Sequence, residues 1–344
     1  MTLFLALSIS LAGCAPRFPT LQKAYAAPVN MQMWTNGAVP FALSPDGQFV
    51  IYGSSGWIRL DTGEESYPLA NYAITPEGYM GIGMNYGWSP DGRYFAMTTF
   101  YDNRSPGANR NPIYIFDSQT LIGSKIEGDV GNFYMWSPFN SGRFLANFYP
   151  EGPSMFDLQG SAPVPVREAI DFRQEQEVGG TDSYLWSKRL DTPIAAISTI
   201  SVMDENGEWT DRSQVFIDSF SIPMKYEHPA YRVSVAENPP LDNLIEAIFD
   251  PTGEYVLLVQ WQCSDSSLAH CTDINGHADT QNVTDTVLTL IKWRTGEKQE
   301  LFRLSQIDQQ NVIGSAPVAW SADGSTIVLG RYNASAVVIK VKYP

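Results

Sequence analysis

Basic residues are scarce in this chain. Lysine and arginine number 22 against 37 aspartates and glutamates, a formal net charge of −15. Nucleic acid and anionic lipid both demand a basic footprint, so neither is the expected main partner; the acidic excess serves solubility. Helical periodicity is missing as well. No segment repeats its apolar residues at helical spacing, which argues for a chain that is nearly all β. Familiar catalytic signatures are absent: no Gly-x-Ser-x-Gly, no His-Glu-x-x-His and no phosphate-cradling glycine loop. His228 precedes Pro229 without an evident partner. Paired carboxylates for glycoside chemistry stay open, because 37 acidic residues allow pairs that only three dimensions reveal.

What the chain has in abundance is one turn. Trp88-Ser89-Pro90-Asp91-Gly92 leads into the apolar run Tyr94-Phe95-Ala96-Met97. Proline presets φ for the first central position, aspartate bonds its own backbone and glycine takes the positive φ that follows. Copies stand at Leu43-Ser44-Pro45-Asp46-Gly47 and Trp320-Ser321-Ala322-Asp323-Gly324. Altered copies stand at Trp136-Ser137-Pro138-Phe139-Asn140-Ser141-Gly142, at Trp186-Ser187, and at Phe249-Asp250-Pro251-Thr252-Gly253. Counted from the serine, or from Asp250, the spacings are 45, 48, 50, 63 and 71 residues. A blade of four short antiparallel strands takes roughly 40–50 residues, so the last two intervals carry insertions. Each copy is followed by a β-branched or aromatic strand, and a third strand often ends near aspartate: Asp61, Asp117, Asp157, Asp218.

This pattern resembles the WD40-like repeat of TolB-type β-propellers, over roughly residues 30–344. The resemblance implies one all-β domain, since closed β architectures run longer than average domains. Six blades are expected, with seven as the alternative if an insertion conceals a degenerate blade. It does not imply TolB's own task, because TolB's N-terminal α/β domain has no counterpart here. The repeats run on to the end of the sequence, so the hydrolase domain of prolyl-oligopeptidase-like enzymes is not expected either. Propellers host binding modules, scaffolds and enzymes alike.

The N-terminus reads as an address. The apolar run Leu3–Leu11 is of signal-peptide length and too short to span a bilayer. It ends in Leu11-Ala12-Gly13-Cys14, which looks like a bacterial lipobox with Cys14 as the lipidated residue. Only Met1 and Thr2 precede the run, so the usual basic region is lacking; an ordinary secretory signal is the alternative. Residues 1–13 are expected as signal peptide, 14–28 as a proline-bearing tether and 29–344 as the propeller. The last repeat supplies three strands. A strand near residues 29–35 is the expected fourth, closing the ring by pairing the two ends of the chain.

The insertions carry the candidate sites. Asn206-Gly207 marks a hairpin between strand-like runs, and residues 171–181, 226–243 and 262–285 are long connections. Cys263 and Cys271 share one insertion. With Cys14 committed to lipid, a disulfide stapling that loop is expected; a zinc site with His270 and His277 is the rival, lacking the usual cysteine spacing. The runs near Asp273 and near Asp204, Asn206 and Asp211 offer oxygen ligands without a full calcium pattern, and read as turn chemistry. No metal and no cofactor is called for. Trp88, Trp136, Trp186 and Trp320 occupy equivalent repeat positions and are expected to pack between blades. Trp34, Trp57, Trp209, Trp261 and Trp293 are off that register. Trp209 and Trp261, with the polar loop bearing Tyr101, Arg104 and Arg110, are the candidate contact residues.

The expectation is a lipid-anchored, extracytoplasmic propeller that binds a protein of the cell envelope or a surface glycan, and touches membrane only through its anchor. The alternative is an extracytoplasmic hydrolase or lyase acting on carbohydrate or peptide. It demands carboxylates and a histidine converging on a channel mouth.

Overall fold

The structure, a computed structural model, describes residues 18–31, 41–52, 56–66, 86–98, 113–120, 122–126, 130–148, 152–159, 164–165, 179–203, 209–219, 231–236, 244–263, 283–305, 318–330 and 334–344. These hold strands and turns and no helix, arranged as six four-stranded antiparallel sheets in a propeller.

The chain begins with β1 (Thr20–Met31) and then builds one blade after another. Blade 1 contains β2 (Phe41–Leu43), β3 (Phe49–Tyr52), β4 (Gly56–Arg59) and β5 (Glu65–Ser66). Blade 2 contains β6 (Tyr86–Trp88), β7 (Tyr94–Thr98), β8 (Ile113–Asp117) and β9 (Gly123–Lys125). Blade 3 contains β10 (Val130–Trp136), β11 (Arg143–Phe148), β12 (Gly152–Asp157) and β13 (Val164–Pro165). Blade 4 contains β14 (Gly179–Ser187), β15 (Thr192–Met203), β16 (Trp209–Ser219) and β17 (Tyr231–Ala236). Blade 5 contains β18 (Leu244–Phe249), β19 (Tyr255–Cys263), β20 (Val283–Lys292) and β21 (Glu297–Ser305). Blade 6 contains β22 (Val318–Trp320), β23 (Thr326–Leu329) and β24 (Ala334–Lys342), with β1 as its outer strand.

Ring closure follows the expected route, but the closing strand starts earlier than expected. β1 pairs with β24 from Thr20↔Lys342 to Met31↔Ala334. Residues 20–28, expected as tether, therefore lie in the sheet. Pro28 among them suggested unpaired backbone, yet β1 is an edge strand, where a missing N–H is tolerated. The ladder accommodates Pro28 with a register shift between Ala26 and Asn30. β2 lies against both β6 and β22, so the ring is complete.

The core is divided among the six seams between blades. Strand side chains alternate between faces, so each sheet feeds two seams. In β11, Phe144 and Ala146 join the seam with blade 2 while Leu145 joins the seam with blade 4. In β19, Val256 and Leu258 face blade 4 while Leu257 and Val259 face blade 6. In β23, Val328 faces blade 1 while Ile327 and Leu329 face blade 5. The expected Asn-Gly hairpin is present as pairing of β15 with β16 as far as Met203↔Trp209; residues 204–208 lie outside the described residues.

Candidate functional site: the two ends of the ring

Alternation of strand direction gives the ring two unlike ends. The first-to-second strand turns of every blade and the third-to-fourth joins of blades 1 to 5 lie at one end, here the turn end. The second-to-third connections and the passages between blades leave from the other, the connection end.

The turn end is built from one hydrogen-bonded device. Ser89 Oγ donates to Asp91 Oδ1 at 2.6 Å, and Tyr94 N donates back to Ser89 Oγ at 2.8 Å. Gly92, with φ of 71°, donates to Ser89 O at 2.8 Å. Ser44 with Asp46 and Ser321 with Asp323 repeat the bond at 2.6 Å each. Burial works against ionisation of Asp91, but bonds from the Ser89 hydroxyl and the Arg93 amide outweigh it, so its pKa lies below the ordinary value. Asp323 is lowered in the same way: burial opposes, and Ser321, Ser325 and the charge of Lys340 prevail.

Two altered copies preserve the device by other means. In blade 5 the acid and the hydroxyl exchange places. Asp250 occupies the serine position and accepts from Tyr255 N at 2.7 Å, while Thr252 Oγ1 now donates to it. The exchange leaves Asp250 Oδ2 able to accept a further bond from Tyr343 Oη at 2.8 Å, tying blade 6 to blade 5. Burial, then the charge of Asp250 and the bond to it, raise the Tyr343 pKa far above its ordinary value. In blade 3 no aspartate follows Ser137, and blade 4 lends one. Asp191 accepts from Ser137 Oγ, from Asn140 Nδ2 at 3.2 Å and from an Arg143 guanidinium nitrogen at 3.1 Å. Asp191 is also the one non-glycine with positive φ among the described residues, at 47°; it fills the place that glycine takes in the other turns.

Inside the turn end lies a cavity of about 440 Å³. Its wall includes the residue before each repeat serine or its equivalent: Leu43, Trp88, Trp136, Trp186, Phe249 and Trp320. Pro45, Pro90, Pro138 and Pro251 stand beside them. The tryptophans also pack between blades, as expected. Trp136 Nε1 donates to Gly87 O at 2.8 Å, and Trp186 Nε1 to Met135 Sδ at 3.2 Å. Among the described residues the wall contains a single carboxylate, Asp250, which is committed to the turn and to Tyr343.

Of the sequence-derived candidates, Tyr101, Arg104, Arg110, Trp209, Cys263 and Cys271 belong to or adjoin joins of the connection end. Tyr101, Arg104 and Arg110 belong to the passage between β7 and β8, outside the described residues. Trp209 opens β16 and Cys263 closes β19, both at that end; their side chains, and Cys271 entirely, lie outside the described residues. Cys14, His228, His270, His277 and Asp273 do so too. Trp261 is placed differently from expectation: it is 5% exposed, so its ring belongs to the interior and offers no outer contact face. Among the described residues no group of three His, Cys, Asp or Glu could hold a metal. The Asp191 and Tyr343 contacts were missed, since both join positions in different blades; the only local hint was the loss of aspartate after Ser137.

No family model matches the chain, and no curated protein matches it by sequence. Among solved structures it is similar to a TolB-designated protein of Agrobacterium tumefaciens (13% identity, 89% of this chain, 90% of that one, TM-score 0.48). It is similar to TolB of Acinetobacter baumannii (14% identity, 76% of this chain, 53% of that one, TM-score 0.44). A protein of unknown function from Bacteroides thetaiotaomicron is similar at 6% identity, with 94% and 73% covered and a TM-score of 0.49. Its structural neighbours are thus TolB and other propeller proteins, and the likeness is one of fold.

Proposed function

We propose that this chain is a lipid-anchored, extracytoplasmic scaffold that binds a protein or surface glycan through the connection end of its propeller. One observation carries the reading. Most long joins leave from that end, among them those bearing Arg104, Arg110 and the Cys263–Cys271 insertion, whereas at the other end, the join at residues 220–230 excepted, strands are joined by short turns whose polar groups bond one another. Long loops on a rigid frame are where recognition is usually placed. The address rests on the Leu11-Ala12-Gly13-Cys14 motif, with Cys14 as the acylated residue. A disulfide between Cys263 and Cys271 would hold the blade 5 loop in shape.

The test is capture of the tagged mature protein from detergent-solubilised native membranes, beside an Arg104→Glu/Arg110→Glu variant. A stoichiometric protein retained by the parent and lost by the variant supports the reading. A clean monomer in both favours a small ligand or an enzyme, and directs the search to glycans and peptides.

A further inference from the structure

We infer that the turn end of the ring is the surface that lies against a lipid bilayer, so that the connection end points away from it. The inference deepens the lipid-anchor reading above and rests on it.

The first ground is the short reach of the anchor. β1 enters the fold at the turn end, because Thr20 pairs with Lys342 at the far end of β24. Phe18 is already docked there, its ring 5.4 Å from that of Tyr255. Only Ala15, Pro16 and Arg17 stand between Cys14 and Phe18. Four peptide units span at most about 14 Å when fully extended, less than half of a hydrocarbon core of about 30 Å. An acyl chain on Cys14 therefore holds this end of the propeller at headgroup level.

The second ground is independent of the anchor. The turn end presents four exposed large apolar side chains: Leu21 near the start of β1, Ile122 between β8 and β9, Phe139 between β10 and β11, and Leu190 between β14 and β15. Ile122 is 64% exposed where the turn rejoins β9, its carbonyl accepting from Asp117 N at 3.1 Å. Lys188 and Arg189, both exposed, adjoin Leu190. Apolar tips beside cations suit an interface of acyl chains and anionic headgroups.

The turn end itself carries exposed carboxylates at Asp46, Asp61, Glu64, Asp91, Glu254 and Asp323 beside the exposed cations Arg93, Lys188, Arg189 and Arg294, so its attraction to anionic headgroups is local to the Leu190 turn. The acidic runs 171–177 (Asp-Phe-Arg-Gln-Glu-Gln-Glu) and 204–208 (Asp-Glu-Asn-Gly-Glu) belong to joins at the connection end, which anionic headgroups repel. The membrane contact is thus broader than the anchor alone.

The test uses mature protein purified from membranes and reconstituted into vesicles of phosphatidylethanolamine and phosphatidylglycerol. Single-cysteine variants Ile122→Cys, Leu190→Cys and Gln262→Cys are made in a Cys263→Ser/Cys271→Ser background. Labelling by a membrane-permeant maleimide is timed in vesicles and in detergent. The expected result is several-fold slower labelling of Ile122→Cys and Leu190→Cys in vesicles, with Gln262→Cys labelled alike in both. Equal rates at the turn-end positions overturn the inference. So does protection that persists in detergent, which means that protein covers the patch. The mass of the N-terminal peptide reports acylation separately. An unacylated Cys14 sinks the anchor reading itself, whereas acylation with equal labelling sinks only the orientation.

Discussion

At the turn end, the first and second strands of each blade are joined by a few residues, and their serine, aspartate and glycine repeat the same bonds in blades 1, 2 and 6. At the connection end, the joins range from the short passages between β3 and β4 and between β11 and β12 to the stretch between Cys263 and Val283, and no residue pattern recurs in them. The difference separates two demands on one ring. The turn end must hold six sheets in register, so it tolerates altered residues only where the same bonds are made by other means, as Asp191 and Thr252 show. The connection end is free of that demand and can accept insertions.

That contrast can be broken deliberately. The largest effect is expected in a seam. Phe144 is buried between Phe133, Trp136 and Phe156, and Phe144→Ala should cost about 3–5 kcal/mol in denaturant unfolding, with a cavity left behind. Next comes the lent acid. Asp191→Ala removes the acceptor of three side chains in blade 3 and should cost about 2 kcal/mol, while Asp191→Asn, which keeps the tolerance for positive φ, should cost less.

Two glycines at the same position of the repeated turn, in blades 2 and 6, sharpen the comparison within the turn end. A Cβ on Gly92 meets nothing within 4 Å, so Gly92→Ala should cost only the left-handed backbone term of about 1–2 kcal/mol. A Cβ on Gly324 meets the Tyr343 ring at 2.7 Å, so Gly324→Ala should cost more and loosen the tie to Asp250. Thermal unfolding of the pair, compared side by side, reads the difference.

Acid should act on the turn end as well. Asp91 and Asp323 have folded pKa values below those of the unfolded chain, so their contribution is present above the ordinary aspartate range. It is lost as pH falls through the lowered folded values. Stability should decline as the pH drops below about 4. Ser89→Ala/Ser321→Ala, by removing the bonds that favour the ionised form, should flatten that decline. The smallest effect is expected at the other end: Arg104→Glu/Arg110→Glu should shift stability by less than about 0.5 kcal/mol while abolishing partner capture.

Much of this was legible in the chain itself. The aromatic-Ser-Pro-Asp-Gly copies at 44, 89 and 321 announce the blades, because turn chemistry is local and leaves residue-level marks. Closure by the two ends was legible from the missing fourth strand of blade 6. Where β1 starts was not, because Pro28 reads as a break until its place on an edge is known. Asp191 was illegible because its partners lie in another blade. Asp250 and Thr252 looked like decay of the motif, though they conserve its bond with donor and acceptor exchanged. Trp261 was misread because being off the repeat register says nothing about burial. The apolar tips Ile122, Phe139 and Leu190 look unrelated in sequence; only strand direction gathers them at one end.

The pairing of β1 with β24 has a consequence for how the molecule comes into being. Thr20 and Lys342 are 322 positions apart, and bringing such distant points together costs about 5 kcal/mol of chain entropy. The first strand to leave a ribosome or a translocation channel waits for the last. Until then it is an open edge, available to any other strand that passes. A chain cut before β24 keeps five blades' worth of strands and cannot fasten them, so loss of the final segment should leave material fit for proteolysis rather than a smaller ring.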